Sequence, residues 1–235
     1  MIGIDYILYI FCLIAIVLSV IAQFKVNSTF NKYALVLTGR GRTAAEVARH
    51  LLNASGLYHV RIERVRGSLT DHYDPRAEVL RLSDSVYDSC SASAVGVAAH
   101  EAGHAIQHAE GYMPIVIRTR LAPITSFASR FSWLVIIAGI VFMALDTLLG
   151  SYILIAGAGL FAVTTVFQLV TLPCEFNASS RAIKGLRETG WYSSGELFAA
   201  RKVLNAAAMT YVTATLVSVL QLLRILVRIF GSRRR

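Results

Sequence analysis

The chain has 235 residues, of which 55% are hydrophobic and 16% charged, and its formal net charge is +9. Apolar residues are more frequent than in an ordinary soluble domain, which argues against that class. The positive charge indicates a nucleic acid or a membrane surface as partner, and the long apolar runs favour the membrane lipid bilayer and no nucleic acid. The cysteines are scattered without a CxxC pair, so no disulfide framework is expected.

The first element along the chain is a predicted transmembrane helix at residues 1–24. Ile2–Phe24 contains a single charged residue, Asp5, and about 20 apolar residues are enough to cross the hydrocarbon core of a bilayer. The run lacks a basic start and a small-residue cleavage site. We therefore expect a retained membrane helix and not a cleaved signal peptide.

Residues 25–126 are predicted to form a first catalytic segment that contains a small sheet. Thr43–Glu46 is a capping box, which predicts the start of an amphipathic helix that ends near Ala54. Apolar and charged residues alternate in Val60–Val65 and again in Ala77–Leu82, a pattern typical of half-exposed strands. We expect these two strands to pair in a small antiparallel sheet.

The remaining segments alternate between apolar and polar character. Residues 127–172 contain two apolar runs separated by a short turn, which predicts a transmembrane hairpin. Residues 173–205 are polar and helical in character and form a second predicted catalytic segment. A fourth apolar run opens residues 206–235, which end in a basic tail. The pattern predicts a mostly helical α+β membrane protein with about four hydrophobic segments and a small antiparallel sheet beside a helix at residues 91–109.

The helix predicted at residues 91–109 carries the HExxH pentapeptide His100-Glu101-Ala102-Gly103-His104. Residues four apart share one face of an α-helix, so His100 and His104 can bind one Zn²⁺ together. Glu101 is placed to take a proton from water, whose pKa zinc lowers to about 7. Gly103 costs about 1 kcal/mol in a helix interior, which indicates that a substrate or another backbone passes close to it.

A catalytic zinc usually has three protein ligands and one open position, and the candidates for the third ligand are Glu110, His108 and Glu175. Glu110 has the spacing of the third metzincin ligand, but Gln107 stands where that class has a glycine. His108 lies about 6 Å past the second histidine on a straight helix. Glu175 follows the third apolar run, on a new helix that Pro173 is expected to start. Two histidines and a glutamate are a known hydrolytic zinc set.

Three motifs of the chain resemble those of the YugP-like bacterial membrane zinc metallopeptidases, which are gluzincin-type enzymes and distant relatives of the HtpX quality-control proteases. The resemblance covers nearly the whole chain, and its motifs are Asp71–Arg76, His100–His108 and Leu172–Ser179. It implies a zinc metalloendopeptidase whose general base is Glu101. The zinc ligands that it implies are His100, His104 and Glu175.

The same resemblance bears on the residues that orient the ligands. Wider gluzincin relatives often carry an aspartate four residues after the ligand glutamate, where it orients a histidine. Ser179 stands at that position, so Ser179 and Asn177 are both candidates for this role. Cys174 is expected to be a packing residue, because a fourth protein ligand would close the site.

Further catalytic residues are expected in the first catalytic segment. Hydrolysis needs a donor for the developing oxyanion, and His72 and Tyr73 are candidates because the bend at Asp74-Pro75 could hold them over a cleft. By composition alone, Asp71–Arg76 is also typical of a plain polar turn. The strand at Glu78–Leu82 could offer an edge to which an extended substrate adds as a further strand.

The predicted activity is hydrolysis of peptide bonds in membrane or membrane-proximal proteins, with protein or peptide substrates. The alternative is a non-enzymatic membrane scaffold or chaperone-like protein with a bound zinc, although a structural zinc is usually held by four histidines or cysteines. A channel is a weaker alternative, because we expect no buried pair of opposite charges in the apolar segments.

The basic residues predict a multi-pass protein of the bacterial inner membrane whose catalytic segments are cytoplasmic. Residues 25–130 and 173–206 contain many lysines and arginines, whereas the N-terminal run and the loop at Asp146 contain none. The fourth apolar run leaves two alternatives open. Either it spans and its basic tail lies outside, or it is interfacial and its arginines reach the lipid headgroups.

Overall fold

The computed structural model describes residues 2–145 and 148–232. Within them the elements are α1 (Ile2–Ala34), α2 (Ala44–Ala54), β1 (Arg61–Val65), β2 (His72–Asp74), β3 (Val79–Ser83), α3 (Ala92–Ala109), α4 (Met113–Ala144), α5 (Leu148–Glu188) and α6 (Ser194–Ser232). The protein is mostly helical with one small sheet, as the sequence predicts for an α+β membrane protein.

Four of these helices, α1, α4, α5 and α6, are long and apolar enough to cross a membrane. Only between 17% and 28% of their most apolar windows is buried, and exposed apolar surface of this extent requires lipid around it. The prediction of about four hydrophobic segments is confirmed. The helices are longer than the predicted runs because they continue into polar sequence. Their 32 residues or more extend over about 48 Å, whereas the hydrocarbon core is about 30 Å thick.

The chain forms two compact units. The helical unit comprises Met1–Ile21, Ile117–Leu172 and Tyr211–Arg235. The sheet unit comprises Ala22–Val116 and Pro173–Thr210. All three strands, helix α3 and the segment that follows the third apolar run belong to the sheet unit. The second predicted catalytic segment and most of the first therefore fold together, although an apolar stretch separates them along the chain, whereas residues 117–126 of the first segment belong to the helical unit.

The sheet has the strand order β1-β3-β2. β1 and β3 pair in parallel, with Arg61 opposite Val79, whereas β2 and β3 pair antiparallel, with His72 opposite Arg81. The prediction that β1 and β3 pair antiparallel is wrong. β2 lies in the stretch whose composition suggests a polar turn, and this extra reversal of the chain gives β3 the same direction as β1. β3 is central, so the expected edge at Glu78–Leu82 is wrong as well, and the edges are β1 and β2.

Helices α2 and α3 lie in the core of the sheet unit. Thr43 accepts a hydrogen bond from the Glu46 N–H at 3.2 Å and donates its own N–H to the Glu46 carboxylate at 2.9 Å, which confirms the predicted capping box. Ser91 caps α3 by accepting from the Ala94 N–H. Most buried residues of α3 are alanine or glycine. Such small residues let neighbouring elements pack closely around the helix, which becomes a buried and rigid support.

Helix α5 is continuous from Leu148 to Glu188 and passes through Pro173. The prediction that Pro173 starts a new helix is wrong. Proline in a helix interior removes a backbone hydrogen bond and costs about 3 kcal/mol or more, but Cys174, Glu175 and Ala178 after it are all buried. The packing of Cys174 and Ala178 offsets that cost and keeps the chain helical, so Glu175 lies on the same helix as the third apolar run.

The helical unit has a core of its own, formed by Ile136, Leu154, Ala158, Phe161 and Ile229. Helices α4 and α5 approach closely at Gly139, where a Cβ atom would lie 2.6 Å from the backbone nitrogen of Leu154. Small residues at such contacts are typical of helix packing in membranes, where van der Waals contact replaces the hydrophobic effect.

An ion pair joins the two ends of the helical unit's sequence. Asp5 of α1 lies 3.4 Å from Arg224 and 3.9 Å from Arg228 of α6. Residues this far apart in sequence meet only in the fold. The three side chains are 33–45% exposed, so this is not the buried pair of opposite charges that the channel alternative would require. The contact places the end of α6 beside the beginning of α1, which favours the alternative in which the fourth apolar run spans.

Candidate metal centre

The HExxH motif lies in the second half of α3, where helix geometry decides which side chains share a face. The rings of His100 and His104 lie one helical turn apart, with their centroids separated by 4.7 Å. Their side chains are 13% and 9% exposed, so little water competes for the ring nitrogens.

Helix α5 brings a carboxylate to the same place. Glu175 Oε2 lies 3.2 Å from His100 Nε2, and Glu175 Oε1 lies 3.7 Å from His104 Nε2. One ligand atom from each of the three residues lies within 4.8 Å of the others, and Glu175 is only 2% exposed. A carboxylate buried this deeply requires a cation or strong hydrogen-bond donors around it. These three residues are termed the His-His-Glu cluster.

Gly103 explains how α3 and α5 come so close. A Cβ atom at this position would lie 2.9 Å from the carbonyl oxygen of Ala178 in α5, and such a contact would force the two helices apart. The sequence suggests either a substrate or another backbone beside Gly103, and the structure shows a backbone there. The absence of a side chain at position 103 thus allows His100 to contact Glu175 directly.

Gln107 determines the orientation of the His104 ring. Its Oε1 lies 3.0 Å from His104 Nδ1, and its Nε2 donates to the Cys174 carbonyl and to Asn177 Oδ1, both at 2.9 Å. Because the amide oxygen only accepts, His104 carries its proton on Nδ1, and the lone pair of Nε2 points to the side of Glu175. From the sequence, Gln107 stands out only as a departure from the metzincin pattern. The available signal is a polar residue three positions after a candidate ligand.

Ser179 contacts Nδ1 of His100 in the way that Gln107 contacts Nδ1 of His104. Its Oγ lies 3.1 Å from His100 Nδ1 and can accept the Nδ1 proton, which leaves Nε2 as the metal-binding nitrogen. Asn177, the other candidate for an orienting residue, contacts Gln107 and accepts a hydrogen bond from Arg181 Nε at 2.7 Å. Ser179 therefore contacts a histidine of the cluster directly, whereas Asn177 contacts the residue that holds the other histidine.

The two remaining candidates for the third ligand lie elsewhere. Glu110 pairs with Arg181 at 2.7 Å, and this hydrogen-bonded guanidinium lowers the pKa of Glu110. The His108 ring lies 5.7 Å from the ring of Tyr73. Among the described residues, the group that could hold a metal ion contains neither Glu110 nor His108.

Glu101 lies beside the cluster without belonging to it. It is partly buried, and it is not among the three residues that could share a metal ion in the described part of the chain. Burial raises the pKa of Asp71, hydrogen bonds from Ser83 at 2.7 and 2.9 Å oppose the rise, and the charge of Glu101 adds to it.

His72 and Tyr73 are neighbours on β2, and consecutive strand residues point to opposite faces of a sheet. Tyr73 packs against the core and against His108 of α3, and burial raises the pKa of Tyr73, which keeps its phenol protonated. His72 is exposed, with Nδ1 2.9 Å from the Thr70 carbonyl and Nε2 3.4 Å from Arg81. The structure thus brings Tyr73, and not His72, to the helix that carries the cluster.

The His-His-Glu cluster fits a catalytic zinc ion. Two ligand atoms that each lie about 2.1 Å from one zinc are at most about 4.2 Å apart. The two carboxylate-to-imidazole separations, 3.2 and 3.7 Å, meet this condition, and one donor atom from each of the three residues lies within 4.8 Å of the others. The cluster contains no cysteine, unlike most closed structural sites, and three protein ligands leave one coordination position open. This donor set disfavours the alternative of a scaffold with a structural zinc.

Comparisons with known proteins agree with the donor set. The family model described as "Putative neutral zinc metallopeptidase" matches residues 8–230. A protein of Bacillus subtilis (strain 168) named "Putative membrane protease YugP" is 48% identical over 228 residues, which are 96% of this chain and 98% of that protein. No solved structure matches the chain significantly.

Proposed function

Since the chain belongs to the neutral zinc metallopeptidase family, we propose that it is a membrane-embedded endopeptidase whose zinc is bound by His100, His104 and Glu175. The observation that carries this proposal is the meeting of three donor groups from α3 and α5 in a buried position. Two imidazoles and one carboxylate are the ligands of several hydrolytic zinc sites, and the open position serves the reaction.

The chain's own residues have distinct roles in the proposed hydrolysis. When bound, zinc supplies Lewis acidity, which polarises a carbonyl and makes water acidic near neutral pH. Glu101 accepts a proton from the attacking water and passes it to the leaving amine. Gln107 and Ser179 hold the Nδ1–H groups of the two histidines, so each ring keeps one tautomer and one orientation. These positioning contacts keep the donor atoms together while the proton moves.

For the oxyanion donor we favour Tyr73 over His72. Oxyanion stabilisation requires a preorganised donor beside the reacting carbonyl. The protonated phenol of Tyr73 lies next to α3, whereas the contacts of His72 are with Thr70 and Arg81. We propose that the contacts of His72 stabilise β2.

An extended substrate is proposed to bind along β2. This strand contacts α3, and within the described sheet it pairs with β3 on one side only. Backbone hydrogen bonds to an edge strand recognise any extended segment, which supports cleavage with little sequence preference. Because the chain is held in the bilayer by its apolar helices, the proposed substrates are membrane or membrane-proximal proteins.

Removal of the metal tests the proposed function. We expect the purified protein to contain about one zinc per chain and to hydrolyse casein. Treatment with 1,10-phenanthroline should abolish hydrolysis, and added Zn²⁺ should restore it, whereas Mg²⁺ should not, because imidazole ligands favour zinc over magnesium. Metal content and cleavage are measured on the same samples. Full hydrolysis in a sample shown to be free of zinc would contradict the proposal.

We further propose that the sheet unit faces the cytoplasm of a bacterial cell from its inner membrane, because the lysines and arginines are concentrated in residues 25–130 and 173–206. In a Cys90→Ser background, a cysteine at Arg187 should resist an impermeant thiol reagent in intact cells and react after permeabilisation. A cysteine at Leu148 should react in both cases. Labelling is read by mass shift on a gel, and the reverse pattern would place the sheet unit on the outer face.

A further inference from the structure

The helical unit contains a cluster of three charged side chains in which positive charge exceeds negative charge. Asp5 supplies one carboxylate, and Arg224 and Arg228 supply two guanidinium groups at 3.4 and 3.9 Å from it. These separations exceed the 2.7–3.2 Å of a good N–H···O hydrogen bond, and each guanidinium carries five N–H donors. Asp5 therefore engages only a few of the N–H donors that the two guanidinium groups offer.

An aromatic ring packs against one of these arginines, and both side chains remain partly exposed. The guanidinium of Arg224 lies 4.8 Å above the ring of Tyr9, which covers one of its faces. Asp5 is the one carboxylate within ion-pairing distance of either arginine among the described residues. Two guanidinium groups against one carboxylate leave one positive charge without a counter-charge in this part of the structure, and a positive charge near the membrane surface attracts anionic lipid.

A cavity of about 160 Å³ adjoins the two arginines. Arg224 and Arg228 contribute to its lining, and most of the remaining lining is apolar, with Leu13, Ile16, Ile136 and Leu154. Leu13 and Ile16 follow Asp5 by 8 and 11 residues on α1, which corresponds to about 12 and 17 Å along the helix. The apolar lining thus lies deeper in the helical unit than the carboxylate.

Exposed tyrosines mark the water–lipid boundary near this end of the helices. Tyr6, in the second turn of α1, and Tyr152, in the second turn of α5, are both 68% exposed. Tyrosine is enriched where a membrane helix passes the headgroups. The arginines therefore lie at the depth of the headgroups, and the cavity extends from there towards the hydrocarbon core.

We propose that this cavity binds an anionic phospholipid. The phosphate lies between Arg224 and Arg228 and supplies the missing negative charge, and an acyl chain occupies the apolar part of the lining. Basic pockets between membrane helices recognise anionic headgroups in this way. The site belongs to the helical unit alone and is independent of the metal cluster.

Lipid selectivity in nanodiscs tests the proposal. The protein is placed in discs of phosphatidylcholine with a minor share of phosphatidylglycerol, and bound lipids are counted by native mass spectrometry. Wild type should retain phosphatidylglycerol preferentially. Arg228→Gln should lower this preference about fivefold, the effect of one basic residue near an anionic lipid, and Arg228→Lys should keep most of it. Arg130→Gln makes the same charge change on α4 of the same unit and should leave the preference unaltered.

Asp5→Asn separates lipid binding from a purely structural ion pair. If the phosphate competes with Asp5 for the two arginines, Asp5→Asn raises the preference for phosphatidylglycerol, even if thermal unfolding shows some loss of stability. If the three residues only hold helices together, Asp5→Asn lowers stability and leaves lipid selectivity as in wild type. That result, or an Arg228→Gln variant with wild-type selectivity, would overturn the proposal. So would displacement of the bound lipid by inorganic phosphate alone, since the acyl chain would then contribute nothing.

Discussion

Glu101→Gln is expected to retain about one zinc per chain and to lose about two to four orders of magnitude in the rate of peptide hydrolysis. The amide keeps the size of the side chain but cannot accept the proton of the attacking water. Zinc should stay bound because Glu101 is not a member of the His-His-Glu cluster in the described structure. Metal content is measured by atomic emission, and the rate by cleavage of fluorescent casein under saturating zinc.

The matched control is Glu110→Gln, which makes the same chemical change at the end of α3. Glu110 is engaged by Arg181 and lies outside the cluster, so this variant should hydrolyse casein at nearly the wild-type rate. Wild-type hydrolysis in Glu101→Gln would refute the general-base role. A variant that has lost both zinc and activity would instead show that Glu101 supports the metal site.

Glu175→Ala is expected to weaken zinc binding more than about 100-fold, which exceeds the effect of removing an outer residue that only orients a ligand. The change removes the carboxylate that lies 3.2 Å from His100 and 3.7 Å from His104, and two imidazoles alone form an incomplete site. Competition with a chromophoric chelator measures the affinity. Circular dichroism of the helical signal shows whether α5 remains folded.

Glu110→Ala serves as the comparison, because it removes a glutamate that the sequence also offers as a third ligand. It should bind zinc as wild type does. Glu175→Gln provides a second test, since it preserves the volume of this buried side chain and removes its charge. This variant should also bind zinc more weakly than wild type. Zinc binding that is unaffected in Glu175→Ala, or a metal-bound structure with Glu175 more than about 5 Å from the ion, would defeat the assignment, because bound oxygens lie near 2.0–2.2 Å.

The sequence did not predict correctly which strands lie next to each other in the sheet. Alternation in Val60–Val65 predicts a strand because it reports which side of the strand is buried, and β1 is found there. Alternation carries no information about which strand lies beside it. The three residues of β2 are too few for a periodic signal, and without β2 the direction of β3 cannot be derived. Pro173 shows a related limit, since tertiary packing outweighs its intrinsic preference for the first turn of a helix.

The sequence by itself determined the features that depend on neighbouring residues: the capping box of α2, the extent of α3, the four apolar helices, and the spacing that puts His100 and His104 on one face. Helix periodicity, end-capping and hydropathy act over a few residues and are visible in one stretch of sequence. Only the tertiary structure decided that Glu175 meets these histidines, that Gln107 and Ser179 orient them, and that Asp5 meets Arg224. These contacts join separate helices, and their geometry depends on how closely backbones pack, as the contact of Gly103 with Ala178 demonstrates.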